Sequence, residues 1–175
     1  GHTGGVSSAA FSPNGLQVAV AGQDGTGRVW EVATGDCLQV LSDRFGHTQS
    51  LCKAAFSPDG LRVVTASCDR SVRVWDVEKG TCMQVLYEYG HNGPVHSATF
   101  SPDGQLVVTA SWDNTACVLD VVTGDCLMIL AGHEESVYSA VFSPDGKQVL
   151  TASKDNTVRV WNVATAMRAR GGGSC

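Results

Sequence analysis

The chain has 175 residues, a formal net charge of −5 and 43% hydrophobic residues. This length is sufficient for one domain with a buried core. The mild acidity argues against a nucleic-acid-binding surface, which normally needs a basic patch. Since no apolar run approaches the roughly 20 residues of a membrane span, we expect neither nucleic-acid nor membrane partners.

A fourfold internal repeat organises the chain. Each repeat begins with a Gly-His pair, and successive pairs lie 45, 44 and 42 residues apart. An aspartate follows each histidine after 22 residues, and a tryptophan, or in one case a leucine, comes six residues later. These landmarks are His2, Asp24 and Trp30; His47, Asp69 and Trp75; His91, Asp113 and Leu119; His133, Asp155 and Trp161. The predicted repeats cover about 1–45, 46–89, 90–131 and 132–166, and a flexible Gly-rich tail is expected at 167–175.

Each repeat contains four short segments that predict strands. In the third repeat they are residues 95–100, 106–110, 116–121 and 126–130. A Ser-Pro-Asn/Asp-Gly sequence predicts a tight turn at residues 12–15, 57–60, 101–104 and 143–146. Because no segment shows a period of 3.6 residues, we expect an all-β chain with almost no helix.

The Gly-His start, the Trp75-Asp76 end and the repeat length match the WD-repeat family. The chain resembles these β-propellers over residues 1–166. The resemblance implies four blades, each a four-stranded antiparallel sheet. It also implies a non-catalytic scaffold or adaptor that presents one face of its blades to protein or peptide partners.

A recurrent set of His, Ser and Asp invites a hydrolase interpretation. The resemblance implies a buried hydrogen-bond network instead, in which Asp accepts from His, His meets Ser, and Ser reaches the Trp ring. Recurrence favours the network, because an enzyme needs one triad and not one per repeat. Gly22 replaces the serine in the first repeat and Leu119 the tryptophan in the third, so weaker networks are expected there. The predicted network residues are His47, Ser67, Asp69, Trp75, His91, Ser111, Asp113, His133, Ser153, Asp155 and Trp161.

Two positions in each repeat vary while their neighbours stay fixed, which indicates contact with solvent or partners. The position before each aspartate holds Gln23, Cys68, Trp112 and Lys154, and the second position of each first strand holds Ser7, Cys52, His96 and Tyr138. Trp112 is the strongest candidate for a partner contact, because exposed tryptophans often anchor interfaces. Alternatively, its ring lies flat on a neighbouring blade, and the sequence leaves both interpretations open.

Seven cysteines are present, but their placement does not indicate a disulfide framework. Cys37, Cys82 and Cys126 occupy one position in three repeats, a blade apart, and no Cys-x-x-Cys occurs. We therefore expect small apolar groups in a reduced, cytoplasmic setting. The histidines lack further ligands at metal spacing, so neither a metal nor a cofactor is predicted.

Four blades span about half of a typical ring of seven or eight. We expect an open arc with two bare blade faces, an aggregation liability. In the fourth repeat, residues 168–172 replace an apolar segment with Arg and Gly, so three good strands are expected there. Either the chain is part of a larger propeller, or two copies complete an eight-bladed ring. Self-assembly is thus the second functional hypothesis after the adaptor, and an enzyme is the third.

Overall fold

The computed structural model describes residues 1–42, 46–86 and 91–164. Its elements are all strands, which confirms the all-β prediction. Within this described part, no helix is long and apolar enough to cross a bilayer. The strands are β1 Val6–Phe11, β2 Gln17–Gly22, β3 Gly27–Glu31, β4 Cys37–Leu41, β5 Leu51–Phe56, β6 Arg62–Ser67, β7 Val72–Asp76, β8 Cys82–Leu86, β9 Val95–Phe100, β10 Leu106–Ser111, β11 Thr115–Asp120, β12 Cys126–Ala131, β13 Val137–Phe142, β14 Gln148–Ser153 and β15 Val158–Asn162.

The strands form four antiparallel sheets, each pairing in chain order. We call them blade 1 (β1–β4), blade 2 (β5–β8), blade 3 (β9–β12) and blade 4 (β13–β15). Blade 4 has three strands among the described residues. The segment at 168–172 and the tail at 167–175 lie outside the described residues.

The four predicted tight turns are confirmed. In blade 2, the Gly60 backbone N–H donates to the Ser57 carbonyl at 2.9 Å, and Gly60 has a φ of 72°. A residue without a Cβ adopts this left-handed conformation at little cost. The Ser57 hydroxyl also accepts a bond from the Arg62 backbone at 3.0 Å, which ties the turn to β6. The same backbone bond closes the turns that end at Gly15, Gly104 and Gly146.

The blades pack face to face, and one hydrophobic cluster fills each of the three junctions. Trp75 and Val63 of blade 2 pack on Ala19 and Val29 of blade 1. Equivalent clusters join blade 2 to blade 3 and blade 3 to blade 4. The face that carries the Trp position therefore always packs on the opposite face of the preceding blade.

The four blades form an open arc, as predicted. The innermost strands β1, β5, β9 and β13 lie side by side in that order. The Trp-bearing face of blade 1 and the opposite face of blade 4 stay uncovered within the described chain. On blade 4 the cross-strand neighbours Leu150 and Val160 are 43% and 61% exposed. Apolar surface of this kind normally lies between blades.

Candidate functional site

In blade 2 a hydrogen-bond network joins the loop before β5 to the interior of the sheet. His47 Nδ1 lies 3.1 Å from Asp69 Oδ2, and His47 Nε2 lies 2.7 Å from Thr65 Oγ1. The Trp75 ring N–H donates to Thr65 Oγ1 at 2.8 Å. One proton arrangement satisfies all of these groups: Trp75 donates to Thr65, Thr65 donates to Nε2, and Nδ1–H donates to Asp69. Every buried polar group in the network then has a partner.

The network differs from the sequence prediction in its hydroxyl group. Ser67 was expected between His47 and Trp75, but its hydroxyl donates to the Ser50 carbonyl at 3.1 Å and accepts from the Asp69 backbone at 3.1 Å. Ser111 and Ser153 make the corresponding contacts in blades 3 and 4. The imidazole reaches past the serine at the strand end and meets the next hydroxyl on the same face, two residues earlier. The recurrence of Thr65, Thr109 and Thr151 was the signal for this.

The other blades carry complete or shortened versions of the network. Blade 4 repeats it fully, from Asp155 through His133 and Thr151 to Trp161, with contacts of 2.7 to 2.8 Å. In blade 3, Leu119 stands at the Trp position, and Thr109 Oγ1 keeps its contact of 2.7 Å with His91 Nε2.

The network in blade 1 lacks the hydroxyl group that the other three blades place on the histidine. Its His2 lies 3.0 Å from Asp24, but Val20 occupies the threonine position. The buried Nε2 of His2 has no hydrogen-bond partner among the residues that the structure describes.

The four aspartates are held as anions. Burial alone would raise the pKa of Asp69, but hydrogen bonds from His47 and Ser71 outweigh it and hold the pKa well below its usual range. The Ser71 hydroxyl donates to Asp69 Oδ1 at 2.6 Å. Asp24, Asp113 and Asp155 have pKa values lowered in the same direction. Thr26, Thr115 and Thr157 supply the hydroxyl that Ser71 supplies in blade 2, a contact that the sequence analysis missed.

The network of blade 2 has the contacts of a structural tie between the loop and the sheet. Thr65 is the hydroxyl on the histidine, but it is fully buried and its oxygen already accepts the Trp75 N–H. A nucleophile must reach its substrate, and this oxygen has no open path. Across residues 1–42, 46–86 and 91–164, no three His, Cys, Asp or Glu side chains are grouped to hold a metal ion.

The variable positions meet on one face of the arc, around the innermost strands of the four blades. A cavity of about 210 Å³ is lined by the innermost strands of all four blades, and its wall includes Ser7, Cys52, His96 and Tyr138. The positions before each aspartate lie beside them. Cys68 Sγ is 3.4 Å from Cys52 Sγ, and the Trp112 ring stacks on His96. We call these eight residues the rim: Ser7, Gln23, Cys52, Cys68, His96, Trp112, Tyr138 and Lys154.

The rim backbone is fixed although its side chains vary. The N–H of Trp112 donates to the Pro94 carbonyl at 3.0 Å, and the Trp112 carbonyl accepts a bond of 3.4 Å from Ser136 of the next blade. Gln23 is held in the same two ways, by Gly5 and by Ser50. These two positions can therefore change side chain without losing backbone bonds.

An aromatic cluster is the most distinctive part of the rim. Trp112 stacks on His96 of its own blade at a centroid distance of 6.3 Å and remains 48% exposed. Tyr138, 41% exposed, meets the His96 ring edge-on at 5.4 Å. Burial and the nearby Lys53 lower the pKa of His96, and its buried Nδ1 has no partner within the described residues. The exposure of both rings favours the partner-binding alternative for Trp112.

Comparison with known proteins agrees with this architecture. The model of the WD domain, G-beta repeat, matches residues 1–31, 35–76, 80–120 and 124–162. The chain belongs to the WD40 family. A WD repeat-containing protein of Synechocystis sp., itself uncharacterised, is 51% identical over 47 residues, which cover 26% of this chain and 14% of that protein. WD40 repeats generally serve as protein-interaction scaffolds, and WD40 proteins are typically non-catalytic.

Proposed function

We propose that the chain is an adaptor module whose rim binds a peptide segment of a protein partner. The observation that carries the proposal is the cluster of Trp112, His96 and Tyr138. Exposed aromatic rings beside polar groups are typical interface anchors, because they supply a large contact area and lose little side-chain entropy. The two exposed rings lie on either side of the His96 imidazole, so a peptide side chain can contact both of them at once.

Selection from a displayed peptide library on the purified chain tests this proposal. We expect Trp112→Ala and Tyr138→Ala each to weaken the selected peptides by about tenfold or more, which corresponds to more than about 1.4 kcal/mol. Leu61→Ala is the matched control, since Leu61 is 68% exposed but lies in the Ser-Pro turn region away from the rim. All three melting curves should stay near that of the parent chain. Selected peptides that ignore both aromatic substitutions would refute the rim assignment.

A second candidate function is self-assembly through the two open faces. Blade 1 presents an apolar cavity of about 430 Å³ whose wall includes Val6, Val18, Val20 and Trp30. Blade 4 presents Val141, Leu150 and Val160, which are neighbours across its three strands. At every internal junction a Trp-bearing face packs on this opposite kind of face. The open faces therefore complement each other, and two copies placed head to tail would bury both in one closed ring.

Sedimentation of the purified chain at micromolar concentration tests self-assembly. We expect a species of twice 18.3 kDa, because bare blade faces favour association. Val160→Glu should convert it to the monomer, whereas Val122→Glu should not, since Val122 is 76% exposed in the β11–β12 turn. A sharp, cooperatively melting monomer of the parent chain would contradict self-assembly and leave the rim proposal untouched.

A further inference from the structure

Blade 2 contributes two thiols to the rim, and they are in contact. Cys52 Sγ and Cys68 Sγ lie 3.4 Å apart, 16 residues apart in sequence. The β5–β6 register shifts between Leu51 and Lys53, and this irregularity places Cys52 beside the residue that follows β6. The Cys68 backbone N–H donates to the Ser50 carbonyl at 3.0 Å, so the segments that carry the two sulfurs are already joined.

These thiols differ from the other cysteines in the described residues. Cys37, Cys82 and Cys126 lie at the starts of β4, β8 and β12, one to a blade. Cys126 also shares a hydrogen bond with Cys117, but Cys117 is fully buried in the core between blades 2 and 3, where an oxidant cannot reach it. Cys52 and Cys68 are both half-buried, so a small solute can reach either sulfur, and Cys52 also lines the open cavity of the rim.

We propose that Cys52 and Cys68 are a redox modification site that forms an intramolecular disulfide with a small disulfide as oxidant. A disulfide has an S–S length of about 2.05 Å, so the sulfurs need to approach by about 1.4 Å. Side-chain rotation can supply much of this movement, because the backbone segments are already paired.

The reaction proceeds by thiol–disulfide exchange. The Cys68 thiolate attacks one sulfur of the oxidant, which breaks the oxidant's S–S bond and releases one small thiolate. The Cys52 thiolate then attacks the Cys68 sulfur of the mixed disulfide and releases the second. Two protein thiols are oxidised, one small disulfide is reduced to two thiols, and the two protons leave on those products.

The environment makes this site slow to react at neutral pH. Burial and the hydrogen bond with Cys68 raise the pKa of Cys52 to about 12. Since the thiolate is the nucleophile, oxidation should accelerate as the pH rises from 7 to 9. A mixed disulfide at Cys68 removes the hydrogen bond between the two thiols, which is one cause of the raised pKa of Cys52. The attack of Cys52 on the mixed disulfide is therefore favoured once the mixed disulfide has formed.

Oxidised glutathione is the probe for the experiment. The folded chain is incubated with it at pH 8.5, remaining thiols are alkylated under denaturing conditions, and tryptic peptides are weighed. Cleavage after Arg44, Lys53, Arg62 and Arg70 gives peptides 45–53 and 63–70, each with one cysteine. We expect a linked pair at two hydrogen masses below the sum of the two peptides, together with the loss of two titratable thiols.

Cys52→Ser and Cys68→Ser are the matched controls. Each should lack the linked pair, and Cys52→Ser should retain glutathione on Cys68. The linked peptide pair is measured on the unsubstituted chain, so the proposal can be tested even if a variant folds poorly. Recovery of both peptides alkylated and unlinked would overturn it, as would linkage of either to another cysteine. No partner is needed for this assay, so its outcome is independent of the peptide-binding proposal.

Discussion

Blades 1 and 2 carry the same histidine and aspartate, yet only blade 2 completes its network. Thr65 in blade 2 satisfies both His47 and Trp75, whereas Val20 at the same position in blade 1 leaves Nε2 of His2 buried without a partner. The first blade thus keeps the tie between its loop and its turn but loses the tie to the sheet. Two exchanges separate the blades: Val20 replaces the threonine, and Gly22 replaces the serine, where the His2 ring occupies the space of a side chain. The hydroxyl on the histidine can still be removed or added at the threonine position.

The largest effect is expected when the complete network is broken. Thr65→Val removes the buried hydroxyl that contacts both His47 Nε2 and the Trp75 N–H, so the free energy of unfolding should fall by about 2–3 kcal/mol. Thr109→Val is the matched control, because Leu119 leaves no ring N–H there to lose its partner. Denaturant melts of both variants measure the difference. Equal losses would show that the tryptophan adds nothing to the network.

The aspartate end of the network should respond to acid. The folded pKa of Asp69 lies below its unfolded value of about 3.9, so its contribution is complete above about pH 5 and lost as the pH falls through the folded value. Asp69→Asn should therefore lower stability by about 2 kcal/mol at pH 7, with a smaller deficit at pH 3.

Melts of Asp69→Asn and Asp24→Asn at both pH values check this expectation. Asp24→Asn should lose less at pH 7, because its histidine is held at one ring nitrogen only. A deficit for Asp69→Asn that does not change with pH would contradict the charged role of the carboxylate.

Restoration of the network in blade 1 is expected to have an intermediate effect. Val20→Thr places a hydroxyl where it can donate to His2 Nε2 and accept from the Trp30 ring, so stability should rise by about 1 kcal/mol. Val18 lies two residues before Val20 on the same face of β2, but no histidine ring nitrogen is expected within its reach. Val18→Thr should therefore give no gain in stability. Thermal melts of the two variants distinguish them. A gain in both would point to a change in the unfolded chain instead.

These comparisons also show what the sequence could and could not provide. The strands and turns were predictable because Ser-Pro-Asn/Asp-Gly encodes its turn locally. The hydroxyl partner was not, because Ser67 and Thr65 share a face and both recur in later repeats, so only the reach of the His47 side chain decides between them. The residues of the rim were predicted as a group because their two positions vary among the repeats while the neighbouring positions stay fixed. The 3.4 Å contact between Cys52 and Cys68 depends on a shift in the β5–β6 register, which the residue types do not predict.

The smallest expected effect concerns the turn that carries the aspartate. Arg70 has a φ of 73° at a position where blades 3 and 4 place Asn114 and Asn156 at 71° and 65°. Asparagine tolerates this left-handed conformation better than other non-glycine residues. Arg70→Asn should therefore raise stability by roughly 0.5–1 kcal/mol, and Asn114→Arg should lower it by at least as much, because Asn114 also binds the Glu134 carbonyl. Chemical denaturation measures both changes, and a loss for Arg70→Asn would contradict the strain argument.

The His-to-Asp ties all close within single blades, while the junctions between blades are filled by apolar side chains. A genetic duplication or deletion with breakpoints between repeats therefore leaves every His-to-Asp network whole and mainly exposes or covers apolar faces, together with a few hydrogen bonds between neighbouring blades. A breakpoint inside a repeat separates a histidine from its aspartate and leaves buried polar groups unpaired. Whole repeats can therefore be gained or lost with little loss of stability, whereas a rearrangement inside one repeat is destabilising. The number of blades should change in evolution more readily than the network within a blade.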